Sequence, residues 1–275
     1  MKQICKFLWI IFLISSVLVS TNVLSKEHTI NSPIPFFADL VEADEAENSI
    51  FLIVHGSLAH KDMEIIQAFQ DALLEQSYTS LAITLPLGTP HRRNFQDCNA
   101  IKSHTHQDAQ ISIGSALTWL HEKYPLKKVI LTGHSRGGNQ AVQHSRIHPD
   151  AVHAVVAVSP MVFSNQRQLP KKMSNDRYTL SRFLHCQDVS IDKVTVESYF
   201  QDNTQNTPAL LLQKGPPVKV IFGDEDPLYE AFTNASSRIQ LSADLEVIEG
   251  ADHFFRDLYA EDAVDIMVTF AEGLK

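Results

Sequence analysis

A serine hydroxyl is a poor nucleophile at neutral pH, so a chain that uses one must hold it beside a base and a carboxylate. Residues 133–138 read Gly-His-Ser-Arg-Gly-Gly, which sets Ser135 in a Gly-x-Ser-x-Gly pattern. Small residues on both sides let a strand turn sharply into a helix and leave the hydroxyl in a strained conformation over the sheet edge. The helix N-terminus beneath such a turn favours developing negative charge. Residues of the two other necessary types stand downstream. Gly223-Asp224-Glu225-Asp226-Pro227 crowds three carboxylates, and His253 lies in Glu249-Gly250-Ala251-Asp252-His253-Phe254-Phe255.

These residues need strands and helices to bring them together, and the chain supplies an alternation of short apolar runs with helical periodicities. That alternation marks an α/β fold, a mostly parallel twisted sheet flanked by helices. Ile50–Val54 is continuously apolar, as in a strand buried on both faces, and ends at His55-Gly56. The spacing predicts a helix over 62–76, a strand over 81–84, a helix over 111–124 and a strand over 128–132. A helix over 137–147, strands over 154–158, 218–222 and 245–248, and a closing helix over 260–270 follow. One interruption, Met161 to Pro217, is polar, broken by prolines and far longer than an ordinary connection in such folds. It is expected to be a cap inserted above the sheet.

On the Gly133–Gly137 motif between a strand and a helix, the chain resembles the α/β-hydrolase superfamily, over nearly all of Ile50 to Phe270. The resemblance implies a chain order of Ser, then acid, then His. It makes Ser135 the nucleophile and His253, in the loop past the last strand, the base. The family's glycine with an aspartate three positions later matches Gly223 and Asp226, so Asp226 is the expected acid, with Asp224 the alternative. The same resemblance assigns the oxyanion N–H groups to Arg136, next after the nucleophile, and to Ser57 in His55-Gly56-Ser57-Leu58, with Leu58 as the other candidate. His55 and His134 are expected to shape loops. No cofactor is required.

The connection after the 81–84 strand leaves a carboxyl edge, where open α/β sheets bind ligands. Arg92 and Arg93 in it could hold an anionic group or pair with local acids, and with His104, His106 and Leu58 they are the candidates for substrate contact. His104 and His106, with Cys98, Asp97 or His91, offer zinc-type donors, but at no spacing that marks a metal site; no metal is expected. A bridge from Cys98 to Cys186 would tie this connection to the cap.

With 44% hydrophobic and 20% charged residues in 275, the composition is that of an ordinary globular domain. Its net charge of −9 argues against a nucleic-acid partner. Lys2 and Lys6 precede the apolar run Phe7–Ile14, the n-region and h-region of a secretory signal, with cleavage expected after Ser25. Residues 26–275 would then form one domain in the periplasm or outside the cell, with no stable membrane span. A disulfide can persist there. The expected activity is that of a serine hydrolase of the carboxylesterase or lipase-like kind. It would cleave a carboxylic ester or thioester of a small or lipid-like substrate through an acyl-enzyme. The alternatives are a binding or scaffold protein that keeps the fold, a peptidase, and a zinc-dependent hydrolase.

Overall fold

The computed structural model describes residues 25–44, 46–162, 170–173, 176–201, 206–237 and 243–274. Apart from Ser25, the expected signal segment lies outside them. Among the described residues the main sheet has eight strands. They are β1 (Lys26–Ile30), β2 (Phe36–Val41), β3 (Ser49–Val54), β4 (Thr79–Ile83), β5 (Lys128–His134), β6 (Ala154–Val158), β10 (Val218–Gly223) and β11 (Asp244–Ile248). Their spatial order is β1-β2-β4-β3-β5-β6-β10-β11. From β4 to β11 every neighbouring pair is parallel, while β2 runs antiparallel to both β1 and β4.

The helices cover both faces. Helices α1 (Glu64–Glu75) and α7 (Tyr259–Gly273) pack with Phe51 and Ile53 of β3 on one side. On the other side α2 (His106–Lys123), α3 (Arg136–Ile147) and the buried Phe232 of α6 (Pro227–Ser236) pack with Ile50, Leu52 and Val54. Alternate residues of β3 thus enter opposite cores, which is why the run carries no polar break. Helix α2 begins five residues before the expected Ile111. Thr105 and Asp108 form a capping box there, in which Thr105 Oγ1 accepts from the Asp108 N–H at 3.2 Å and Asp108 Oδ2 accepts from the Thr105 N–H at 2.7 Å.

Between β6 and β10 lies an antiparallel sheet of β7 (Lys171–Lys172), β8 (Arg177–Phe183) and β9 (Cys186–Asp192). Two short helices follow, α4 (Lys193–Val196), which runs on into a π-turn, and α5 (Thr207–Leu211). Leu180, Val189 and Ile191 sink into the core layer shared with α2 and α3. The disulfide Cys98–Cys186, with Cα atoms 5.4 Å apart, joins this segment to the connection after β4. The Lys102 N–H also donates to Ser190 O at 2.8 Å, and the Asp192 N–H to Lys102 O at 3.1 Å.

The turn from β5 into α3 is crowded by backbone. A Cβ on Gly133 would overlap the Gly137 carbonyl, and one on Gly137 would overlap the carbonyl oxygens of Val54 and His55. By contrast, a Cβ on Gly114, in the middle of α2, meets only His144 Cε1 at 3.7 Å.

Two stability measurements follow. Gly137→Ala forces a side chain into rigid backbone and should unfold or strongly destabilise the protein, whereas Gly114→Ala should raise stability by about 0.5–1 kcal/mol in urea titrations through helix propensity. A tolerated Gly137→Ala contradicts the packing described. The bridge closes a loop with a sequence separation of 88 residues. Replacing both Cys98 and Cys186 by Ser should therefore cost up to about 4–5 kcal/mol by loop entropy. Equal melting temperatures for the double variant and the parent, each measured without reductant, would show that the bridge contributes nothing.

Candidate active site

Ser135 caps α3 with φ 56° and ψ −118°, a left-handed φ that a residue with a Cβ adopts only when its surroundings impose it. The neighbouring strand imposes it here. The Ser135 N–H donates to Val158 O at the end of β6, and Ser135 O accepts from the Met161 N–H, both at 2.9 Å. The hydroxyl then stands at the carboxyl edge of the sheet.

Asp226 and His253 reach it from the loops after β10 and β11. His253 Nε2 lies 3.1 Å from Ser135 Oγ, and its Nδ1 lies 2.8 Å from Asp226 Oδ2. Asp226 Oδ1 accepts the Leu228 N–H at 2.8 Å, so the carboxylate also caps α6. Burial alone would raise the Asp226 pKa, but the His253 hydrogen bond and charge and the Leu228 N–H outweigh it and hold the carboxyl below its ordinary value. Asp224 lies elsewhere, exposed, with Oδ1 accepting the Gly250 N–H at 2.7 Å across the same pair of loops. Of the two aspartates weighed from the sequence, Asp226 is the one in contact with His253. Asp252 faces Arg256 and the Phe254 N–H.

Two buried histidines hold the surroundings without taking part in that row. His134 Nε2–H donates to the His253 carbonyl oxygen at 2.8 Å and so fixes the loop that carries the imidazole. His55 Nδ1–H donates to Gly56 O at 2.7 Å, while its Nε2 accepts the Leu85 N–H at 2.9 Å. Burial drives both rings down to about 3, with the charge of Arg92 adding to it for His55 and that of His253 for His134. Both are therefore neutral at pH 7, and His55, which donates from one ring nitrogen and accepts at the other, must be.

The His55–Leu58 loop runs directly against the hydroxyl, since a Cβ on Gly56 would lie 3.2 Å from Ser135 Cβ and 3.6 Å from Oγ. Leu58 has φ 57°, and the Gln96 N–H donates to its carbonyl at 3.0 Å. Arg136 opens α3, where a backbone N–H has no partner within the helix. Ser57 and Arg136 thus come from two loops that meet at Ser135.

Ser57, Ser135, Asp226 and His253 border a cleft of about 550 Å³ whose wall is largely apolar and includes Met63, Phe95, Met161, Leu184 and Phe254. Met161, Leu184 and His185 belong to the segment between β6 and β10. The sequence reading missed the apolar wall residues, because each stands singly in an irregular stretch where no periodicity marks it.

Four of the candidates for substrate contact lie outside this cleft. Arg92 is buried, and its guanidinium donates to the carbonyls of Leu85, Ala59 and Asn94. Arg93 pairs with both Glu27 carboxylate oxygens, at 2.5 and 2.6 Å, over the Phe37 ring. His104 and His106 are buried against Tyr199, with ring centroids 5.3 and 4.1 Å away. None of the four lines the cleft. The donors weighed for zinc do not converge either. Among the described residues the one metal-compatible group is Cys98, His185 and Cys186, and both of its sulfurs are in the disulfide.

A family model described as the alpha/beta hydrolase fold matches residues 50–185. No curated protein sequence matches the chain. Among solved structures, Est1E from Butyrivibrio proteoclasticus is similar at a TM-score of 0.68 and 18% identity, over 89% of this chain and 98% of that one. Est1E has also been solved with ferulic acid bound. The esterase domain of a Rhodothermus marinus protein gives 0.64 at 16% identity, over 90% and 98% of the two chains. An esterase from Pyrococcus furiosus gives 0.63 at 14% identity, over 92% and 91%. With the parallel sheet, the turn at Ser135 and the loop order of Asp226 and His253 in place, the chain has the α/β-hydrolase fold.

Proposed function

We propose that this protein is an exported serine esterase. The observation that carries the reading is the hydrogen-bonded row from Ser135 through His253 to buried Asp226, at 3.1 and 2.8 Å. In the proposed reaction His253 Nε2 takes the proton as Ser135 Oγ attacks the ester carbonyl. Asp226 holds Nδ1–H and stabilises the imidazolium. The oxyanion is met by the backbone N–H groups of Ser57 and Arg136. His253 then returns the proton to the departing alkoxide, which leaves as alcohol, and Ser135 carries the acyl group. Water, deprotonated by His253, attacks that acyl-enzyme, and the carboxylic acid leaves as Ser135 regains its proton.

A carboxylic ester is the preferred substrate, because the cleft is apolar, similar solved structures include an esterase domain and an esterase, and the similar Est1E has been solved with ferulic acid, a carboxylic acid, bound. Residues 161–217 act as a cap, since Met161, Leu184 and His185 close one side of the cleft. Export is supported by the basic and apolar segment at residues 2–14 and by the disulfide, which suits an oxidising compartment. The complete row of three favours catalysis over a binding role.

Hydrolysis of short-chain esters tests the assignment. Ser135→Ala should abolish turnover, and Asp226→Asn should lower kcat by about 10³–10⁴ by upsetting the tautomer of His253. Asp224→Asn should change kcat by less than about tenfold, because it loses one surface hydrogen bond. Equal losses in the two aspartate variants would contradict the assignment.

A further inference from the structure

A second cavity lies behind the oxyanion loop. It shares Gly56 and Ser57 with the cleft and is walled further by Lys102, His104, Arg136, Gln140 and Tyr199, with aliphatic and aromatic side chains filling the rest. Its volume is about 40 Å³. That is room for about three waters, or for a carboxylate with a carbon or two behind it.

The charged groups of this wall, Arg136 and Lys102, are both cations. The Arg136 side chain is 4% exposed and lies over the Tyr199 ring, its guanidinium carbon 5.4 Å from the centroid. Its Nε and Nη1 have no hydrogen-bond partner among the described residues. Lys102 is 2% exposed, and its Nζ donates to the Asp97 carbonyl. Among the described residues the imidazole Nδ1 of His104 and the amide oxygen of Gln140 are also without partners, and no carboxylate lines the space. Burial lowers Arg136 to about 10 and pulls Lys102 down as well, yet the guanidinium keeps its charge at neutral pH. A buried cation without a counter-ion costs free energy that folding alone does not recover. Arg92, the other buried arginine after β4, shows the usual remedy, with three carbonyls around its guanidinium. Arg136 has no such set.

We propose that this cavity is a subsite for a small carboxylate at the far end of the acyl group whose ester carbonyl Ser135 attacks. The inference rests on the esterase reading of Ser135. The acyl side is assigned because Ser57 and Arg136, whose N–H groups the esterase reading gives to the oxyanion, both border the cavity, and that oxygen stays with the acyl group when the alcohol leaves. Nε and Nη1 of Arg136 would donate to the carboxylate, with Lys102 as the second positive charge. The Gln140 oxygen would take a hydrogen bond from an accompanying water. The substrate class is then the monoester of a short dicarboxylic acid.

The test compares kcat/KM for monomethyl succinate and monomethyl glutarate with that for methyl butyrate and methyl valerate, by following methanol release. At least one half-ester should exceed its neutral counterpart by about tenfold or more, the value of charge-assisted hydrogen bonds. Arg136→Met should erase that ratio, and Lys102→Met should reduce it if the first variant does not fold. A ratio of one or less in the parent, with the neutral esters turned over, overturns the subsite and leaves the esterase reading intact. Failure to cleave any ester removes the esterase reading instead. The cavity is then read by melting temperature in propionate: a rise present in the parent and absent in Arg136→Met keeps it as an anion site, and no rise overturns it.

Discussion

The site depends on how closely the backbone of β3 and that of the β5–α3 turn approach each other. Gly133 and Gly137 leave no room for a Cβ, and the chain between them must place Ser135 at φ 56°. Such a conformation costs of order 1–3 kcal/mol and persists only where surrounding contacts over-determine it. Here the ends of β6 and β3 supply those contacts, through Val158 O and the His55–Gly56 loop. The same crowding that strains the serine therefore fixes its hydroxyl with little freedom to lose on reaction.

Buried polar groups then determine what can move. Asp226 serves both as the cap of α6 and as the partner of His253, so the carboxylate cannot turn away without exposing a helix end. His134 grips the His253 carbonyl, and His55 bridges its own loop to Leu85. Burial opposes protonation of either ring near neutral pH, and His55 would also lose the Leu85 N–H bond. The segment between β6 and β10 is tied down by the disulfide and by its backbone bonds to Lys102, which gives the cleft a fixed apolar side. In the proposed reaction a site built this way needs little reorganisation when charge develops on a substrate carbonyl.

The parallel core was legible because strands buried on both faces are continuous apolar runs; Ala154–Val158 has the expected bounds, and β3, β5 and β10 differ from them by two residues or fewer. The row Ser135, Asp226, His253 was legible because a motif fixes the turn and the chain order fixes the other two. β1 and β2 were not, since the edge strand β1 reads Lys-Glu-His-Thr and β2 is a short alternating run broken by Asp39. The sheet of β7, β8 and β9 escaped for a similar reason: its strands are exposed on one face and follow no motif. Arg92 and Arg93 drew attention by charge alone, and burial among carbonyls and a pair with Glu27 take them away from the cleft. Arg136, read from the sequence only as a backbone donor, carries a buried guanidinium whose Nε and Nη1 have no hydrogen-bond partner among the described residues. Burial of that sort depends on Tyr199 arriving from far along the chain, which no local pattern announces.

The central claim is that Ser135 is activated where it stands. The direct measurement is reaction of the folded, oxidised protein with a fluorophosphonate, followed by mass spectrometry of the labelled peptide. Covalent label on Ser135, absent in Ser135→Ala and much reduced in His253→Ala, is the predicted result. A folded protein that stays unlabelled, or that carries the label on another serine, would contradict it.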